Sequence, residues 1–219
     1  MLRMIEEFMQ ALNRIRGLKQ GQDWRTAGAE LEKEFQRLIG GGPQAVAALS
    51  ETELMARLIQ GESTHLVHDR ALMLASLLKE AGDVATEEDR AEDARSCYLK
   101  GLRLLLQTLA RQEVYECPEF VPKVEMFVLA LQDVPLPLET QALLMQYYER
   151  TGEFARAEDA LFAMLEMEPE NQGIVEFGIT FYERIWHQRD ANLIEGDLPR
   201  SELESGMAEL RKRREKRVL

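Results

Sequence analysis

Apolar residues recur at spacings of three and four along most of the chain, the pattern of helices with one buried face. A second periodic segment, from Ala27 to Leu38, stops at a Gly-Gly-Gly-Pro sequence, where glycine ends one helix and Pro43 begins the next. No convincing strand pattern interrupts the helical one, so the chain is predicted to be all-α. The first helix carries an N-terminal stripe of Leu2, Ile5, Phe8, Leu12, Ile15 and Leu18.

Start and stop signals divide the remainder into further helices. Ser50 and Glu53 form a capping box, in which the Ser50 hydroxyl accepts from the Glu53 amide and the Glu53 carboxylate reaches back. This box opens a short helix that runs through Ile59. The acidic segment "TEEDRAED" is predicted to form a turn between two helices. The segment "DANLIEGDLPR" is predicted to form a second, longer turn of about ten residues. The other predicted helices cover residues 64 to the low 80s, 91–111, 122–132, 171–188 and 199–216.

Residues 147–171 are typical of a helix, a tight turn and a second helix that ends near Pro169. If a unit begins at Leu138, Tyr148 takes an aromatic position, Gly152 falls in the turn and Ala157 lies where the helices cross. Small residues at such crossings let two antiparallel helices approach closely. This segment resembles the tetratricopeptide repeat, a helix–turn–helix unit of about 34 residues.

Two further segments are similar to the same repeat. One begins at Ala75, with small residues at Gly82, Ala94 and Gly101 and with Tyr98 at the later aromatic position. A degenerate third begins near Asn171. The resemblance implies an α-solenoid of tetratricopeptide-like helical hairpins with an N-terminal helical cap. The alternative is an irregular helical bundle with ordinary crossing points.

The layout of the chain as a whole also resembles an uncharacterised bacterial family, a domain of unknown function with no known activity to transfer. We expect residues 1–62 to form a cap or dimerisation element and residues 63–219 to form the degenerate repeats. Capping covers the N-terminal stripe within the chain, whereas a homodimer would cover it with a second copy.

Charge and composition narrow the classes of function. The net charge of −12 and the pI of about 4.9 argue against nonspecific binding to nucleic acid or to an anionic membrane. Two cysteines are too few for a disulfide framework, and neither a signal peptide nor 18 consecutive apolar residues is found. These features predict a soluble cytoplasmic protein without a cofactor.

The most enzyme-like cluster is His65, His68 and Asp69 in "THLVHDR". Helical spacing places the two histidines on one face, and His68-Asp69 resembles the dipeptide of metal-dependent HD phosphohydrolases. Those enzymes place their first histidine tens of residues upstream instead of three, so the spacing does not match. A metal would also need a further ligand. A metal-dependent hydrolase is therefore the alternative hypothesis, and two polar histidines on a surface helix are the ordinary interpretation.

The favoured hypothesis is a noncatalytic scaffold that binds a protein or peptide. Tetratricopeptide arrays bind along the concave face of their first helices, and the alignment implies that carboxylates predominate there. A basic or amphipathic partner would complement that charge, although the same acids also fit the solvated side of amphipathic helices. The implied groove residues are Lys79, Asp83, Glu87, Glu139, Gln146, Glu149, Arg150, Glu176, Ile179 and Glu183.

One basic run, "RKRREKR" at residues 211–217, stands out in this acidic chain. It is typical of a helix end, where cations meet the negative pole of the helix dipole. The alternatives are a grip on an anionic partner or on a neighbouring subunit, or a nucleic-acid-linked regulator.

Overall fold

The computed structural model describes residues 2–59, 64–111 and 117–215, apart from the side chains of Leu2, Thr64 and His65. These residues form twelve helices and no strand, which confirms the all-α class. They group into two compact units, Met1–Pro135 and Leu136–Leu219. No helix in the described part of the chain combines the length and the apolar character needed to cross a membrane.

The first unit is built around a long central helix. Its helices are α1 (Leu2–Gln20), α2 (Trp24–Ile39), α3 (Pro43–Ala47), α4 (Glu51–Ile59), α5 (Thr64–Glu87), α6 (Ala91–Leu109) and α7 (Val124–Ala130). Residues 71–78 of α5, "ALMLASLL", are all buried, because α1, α2, α3, α4 and α6 pack around this helix. A helix that is apolar on every side is buried on every side.

The middle of the N-terminal stripe is buried within the first unit, and Ile5 and Leu18 are half-buried. Phe8, Leu12 and Ile15 are each no more than 1% exposed, and α1 packs against α2 and α5. The ring of Phe8 also meets that of Phe120 edge-on at 5.2 Å. Part of this stripe is therefore covered within the chain. The solenoid cap and the homodimer through this helix both stay predictions.

The helices α5 and α6 form a closely packed antiparallel pair. Gly82 lies under the ring of Tyr98, and a Cβ atom at residue 82 would fall 2.6 Å from Tyr98 Cδ1. A Cβ atom at Gly101 would lie 3.1 Å from Leu78 Cβ and 2.6 Å from Phe127 Cε1 of α7. The small residues predicted at the crossing therefore do allow the close approach.

The second unit contains α8 (Leu138–Thr151), α9 (Phe154–Met167), α10 (Gln172–Ile185), α11 (Asp190–Glu195) and α12 (Arg200–Glu215). Between α8 and α9, Gly152 adopts φ +82°, a left-handed conformation that glycine accepts without strain. Beyond the turn, Ala157 is 0% exposed. The predicted helix–turn–helix is confirmed here.

Several predicted boundaries are wrong. Most of "TEEDRAED" is helical, because α5 continues to Glu87 and α6 begins at Ala91, with Asp89 at φ +56° in the tight turn between them. The segment "DANLIEGDLPR" is not a plain turn, since it contains α11. The capping box is confirmed: the Glu53 amide donates to Ser50 Oγ at 3.3 Å, and the Ser50 amide donates to Glu53 Oε2 at 2.9 Å.

Candidate binding surface

The helices α8 and α10 of the second unit are joined by an ion pair on their exposed side. Arg184 of α10 donates from Nε to Glu149 Oε1 and from Nη2 to Glu149 Oε2, each at 2.6 Å. A bidentate arginine–carboxylate contact fixes the relative orientation of the two side chains better than a single hydrogen bond does. The two residues are 35 positions apart, close to the length of one tetratricopeptide unit.

Further exposed polar side chains, three of them acidic, lie on the same two helices. Glu139 and Gln146, seven residues apart on α8, are exposed, as are Glu176 and Glu183, seven apart on α10. Seven residues are nearly two helical turns, so each pair projects from one side of its helix. Within the described residues, Glu139 and Glu183 have no ion-pair partner. The acidic face consists of Glu139, Gln146, Glu149, Arg150, Glu176 and Glu183.

Ile179, by contrast, is only 3% exposed and does not line an open surface. The sequence placed it on the groove through the repeat alignment. The helix α10 packs against both α9 and α12, and so buries a wide apolar side that takes in this position. A partner on the acidic face would not contact Ile179.

In the first unit, a charged network links α1 to α5. Glu80 is 3% exposed, accepts from Arg16 Nε at 2.8 Å and also pairs with Lys19 Nζ. Lys19 reaches Asp83 as well, and the Tyr98 hydroxyl donates to Asp83 Oδ1 at 2.9 Å. The sequence signal for this network was a single acid, Glu80, after an apolar run. The partners of Glu80 on α1, Arg16 and Lys19, are not apparent from the spacing of residues along the sequence.

Two of the three groove residues predicted in the first unit, Lys79 and Asp83, take part in this network. Lys79 Nζ lies 2.7 Å from Asp83 Oδ2, so both side chains are engaged within the unit, whereas Glu87 is exposed at the end of α5. Burial favours a raised pKa for the Asp83 carboxyl, but hydrogen bonds and charge from Lys19 and Lys79 outweigh it and lower the pKa. Asp83 is therefore ionised at neutral pH and holds α1 in place.

The hydrolase hypothesis depends on a side chain outside the described residues, that of His65. His68 and Asp69 are half-buried on α5. In the part of the chain that the structure describes, no three His, Cys, Asp or Glu side chains are grouped so as to hold a metal ion. The hydrolase stays a prediction.

Cys97 is buried, and its burial raises the pKa of the thiol to about 12, which suits a core residue.

Glu158, a half-buried acid of the second unit, lies beside the close crossing of α10 and α12. The Tyr182 hydroxyl donates to Glu158 Oε1, and Gly206 of α12 lies over both groups. A Cβ atom at residue 206 would fall 2.8 Å from that carboxylate oxygen. Burial raises the pKa of Glu158 despite the Tyr182 hydrogen bond, and the carboxylates of Glu202, Asp159 and Glu209 raise it further.

Replacing Glu158 with glutamine is expected to stabilise the second unit at pH 7 and to leave it unchanged at pH 4. Because its pKa is raised in the folded state, Glu158 stabilises the fold below its ordinary value of 4.5 and loses that contribution as pH rises through the folded pKa. The amide oxygen still accepts from Tyr182. Solvent screens a half-buried group, so the gain should be below about 1 kcal/mol.

Amide hydrogen exchange in α9, α10 and α12 measures this effect separately from the first unit. Glu166→Gln, an exposed change on the same helix, is the matched control. Equal stabilisation at both pH values would contradict the assignment.

Two described cations of the basic run, Arg213 and Arg214, pair with different carboxylates. Arg213 pairs with Glu209 one turn earlier on α12, with Nη2 and Oε1 2.6 Å apart. Arg214 Nη1 instead lies 3.8 Å from Glu176 Oε2 on α10. Lys216 and Arg217 lie outside the described residues.

Comparison with known proteins gives a family without an assigned activity. No curated protein and no solved structure matches the chain. A family model described as a family of unknown function, DUF6483, matches residues 1–215. That match extends over both compact units, and the chain therefore belongs to DUF6483.

Proposed function

We propose that this chain is a noncatalytic binding scaffold whose acidic face holds a basic or amphipathic segment of a partner protein. The observation that carries the proposal is the pair of exposed carboxylates, Glu139 and Glu183, on two helices that Arg184 and Glu149 clasp together. Neither carboxylate has a cation partner among the described residues. A surface with uncompensated charge attracts a partner of opposite charge and orients it.

The spacing of polar side chains on this face defines the kind of partner further. The acids Glu176 and Glu183 are separated by about 10 Å along α10, and the acid Glu139 is separated from the uncharged Gln146 by the same distance along α8. A helix with lysines or arginines seven residues apart presents cations at the same interval. An amphipathic basic helix is thus the simplest segment that matches this face.

We also propose that the helix pairs are degenerate tetratricopeptide-like repeats in a reducing, cytoplasmic setting. The left-handed Gly152 and the buried Ala157 support the repeat, as does the 35-residue separation of Glu149 and Arg184. The two cysteines, Cys97 and Cys117, are free, which suits a reducing compartment.

Reversing charge on the acidic face is expected to weaken binding of a basic peptide about tenfold. The probe is a labelled 18-residue helix of lysine and leucine, with a glutamate–leucine helix as the peptide control. Glu139→Lys with Glu183→Lys removes two attractive contacts and adds repulsion, together on the order of 1.4 kcal/mol. Fluorescence anisotropy at fixed ionic strength measures the dissociation constant.

Glu166→Lys with Glu195→Lys is the matched control, because both residues are exposed in the second unit and the change in net charge is the same. This variant should bind the basic peptide within about threefold of the unaltered chain, the difference that long-range charge allows. If both double variants lose affinity equally, the acids are only the solvated side of their helices.

A further inference from the structure

The end of α12 runs beside the acidic face. The helices α10 and α12 are antiparallel: Gly178 lies against Leu210, and Gly206 lies against Tyr182 further back along α12. The last turns of α12 therefore follow the first half of α10, where Glu176 is exposed. This geometry brings Arg214 of the basic run next to Glu176 of the proposed binding surface.

Cations of the chain itself already engage two of the four carboxylates on that face. Arg184 binds Glu149, and Arg214 lies 3.8 Å from Glu176. The second pair is exposed on both sides, with 44% of the Arg214 side chain and 54% of the Glu176 side chain accessible. An exposed pair of this kind is weak and exchanges readily with solvent.

We infer that Arg214 of the basic run is an internal competitor for the acidic face, where it pairs with Glu176 in place of a partner's cation. The inference rests on the proposed function of that face. A guanidinium on Glu176 makes the same contact that a lysine or arginine of a basic partner would make. The partner must displace Arg214, so the chain discriminates against segments with few cations.

Removing the competing cation tests this directly. Arg214→Ala should tighten binding of the lysine–leucine helix about two- to fivefold, the range that an exposed ion pair corresponds to. Arg213→Ala is the matched control. It removes the same charge from the neighbouring residue, whose guanidinium pairs with Glu209 and not with Glu176. It should tighten binding by clearly less than Arg214→Ala does.

Repeating both changes in a Glu176→Gln background separates the contact from bulk charge. The advantage of Arg214→Ala over Arg213→Ala should disappear there, because Glu176 no longer attracts either cation. Equal effects of the two alanines, or an Arg214 effect that survives in the glutamine background, would overturn the inference while leaving the proposed function intact. Failure of all these variants and of the unaltered chain to bind the basic helix would overturn both.

Discussion

Glu80→Gln is expected to lower the free energy of unfolding of the first unit by about 3 kcal/mol, the typical cost of breaking a buried ion pair from one side. Glu80 is 3% exposed and accepts from both Arg16 and Lys19. The glutamine retains the shape of the side chain but offers an uncharged amide to two cations. Lys19, with 13% of its side chain accessible, retains only Asp83 as a carboxylate partner within the described part of the chain.

The effect should be concentrated where the network holds α1 onto α5. Hydrogen exchange should therefore accelerate first in α1, and urea unfolding followed by circular dichroism gives the overall loss. Glu6→Gln, an exposed change of the same charge on α1, should alter stability by no more than about 0.5 kcal/mol. A Glu80 variant as stable as the Glu6 variant would show that the network does not hold the helix.

Gly82→Ala is the second change with a large expected effect, a net loss of about 2 kcal/mol. The added methyl group would lie 2.6 Å from Cδ1 of the buried Tyr98 ring. That ring cannot move freely, because its hydroxyl is hydrogen-bonded to Asp83 and lies 3.2 Å from Thr86 Oγ1. Overpacking of this kind costs about 3 kcal/mol at the upper end, and the better helix propensity of alanine returns about 1 kcal/mol.

Gly28→Ala is a matched control with the opposite sign. Gly28 lies inside α2 beside a half-open pocket of about 250 Å³, and its added Cβ would be 3.8 Å from Val84 Cγ1, an ordinary contact. Only the propensity gain remains, so this variant should be about 1 kcal/mol more stable. Urea midpoints of the two variants are compared. If Gly82→Ala is as stable as Gly28→Ala, α5 and α6 are not closely packed at Tyr98.

The local features of the fold were predictable from sequence because they depend on neighbouring residues. Periodicity at three and four residues identifies the apolar stripe of α1, and Phe8 and Leu12 are indeed buried. The Ser50 capping box forms as expected, since a cap requires only two residues three apart. The small residue at Gly82 marks a real helix crossing.

Features that depend on distant parts of the chain were not predictable. Nothing near Glu80 in the sequence indicates that Arg16 and Lys19, more than 60 residues earlier, satisfy its charge. Ile179 was assigned to the groove by alignment, but its burial depends on packing of α10 against α9 and α12. The ion pair between Arg184 and Glu149 was not predicted either. A repeat of low similarity does not determine which residues of one helical hairpin lie beside which residues of the next.

The link between Lys19 and Glu80 also constrains how the chain can fold while it is being made. Their separation of 61 residues means that α1 emerges from the ribosome well before its partner helix. At synthesis rates of about 5–20 residues per second, the delay is roughly 3–12 s. During that interval α1 can pack against α2 but not against α5, so the apolar side that carries Phe8, Leu12 and Ile15 is not yet fully covered.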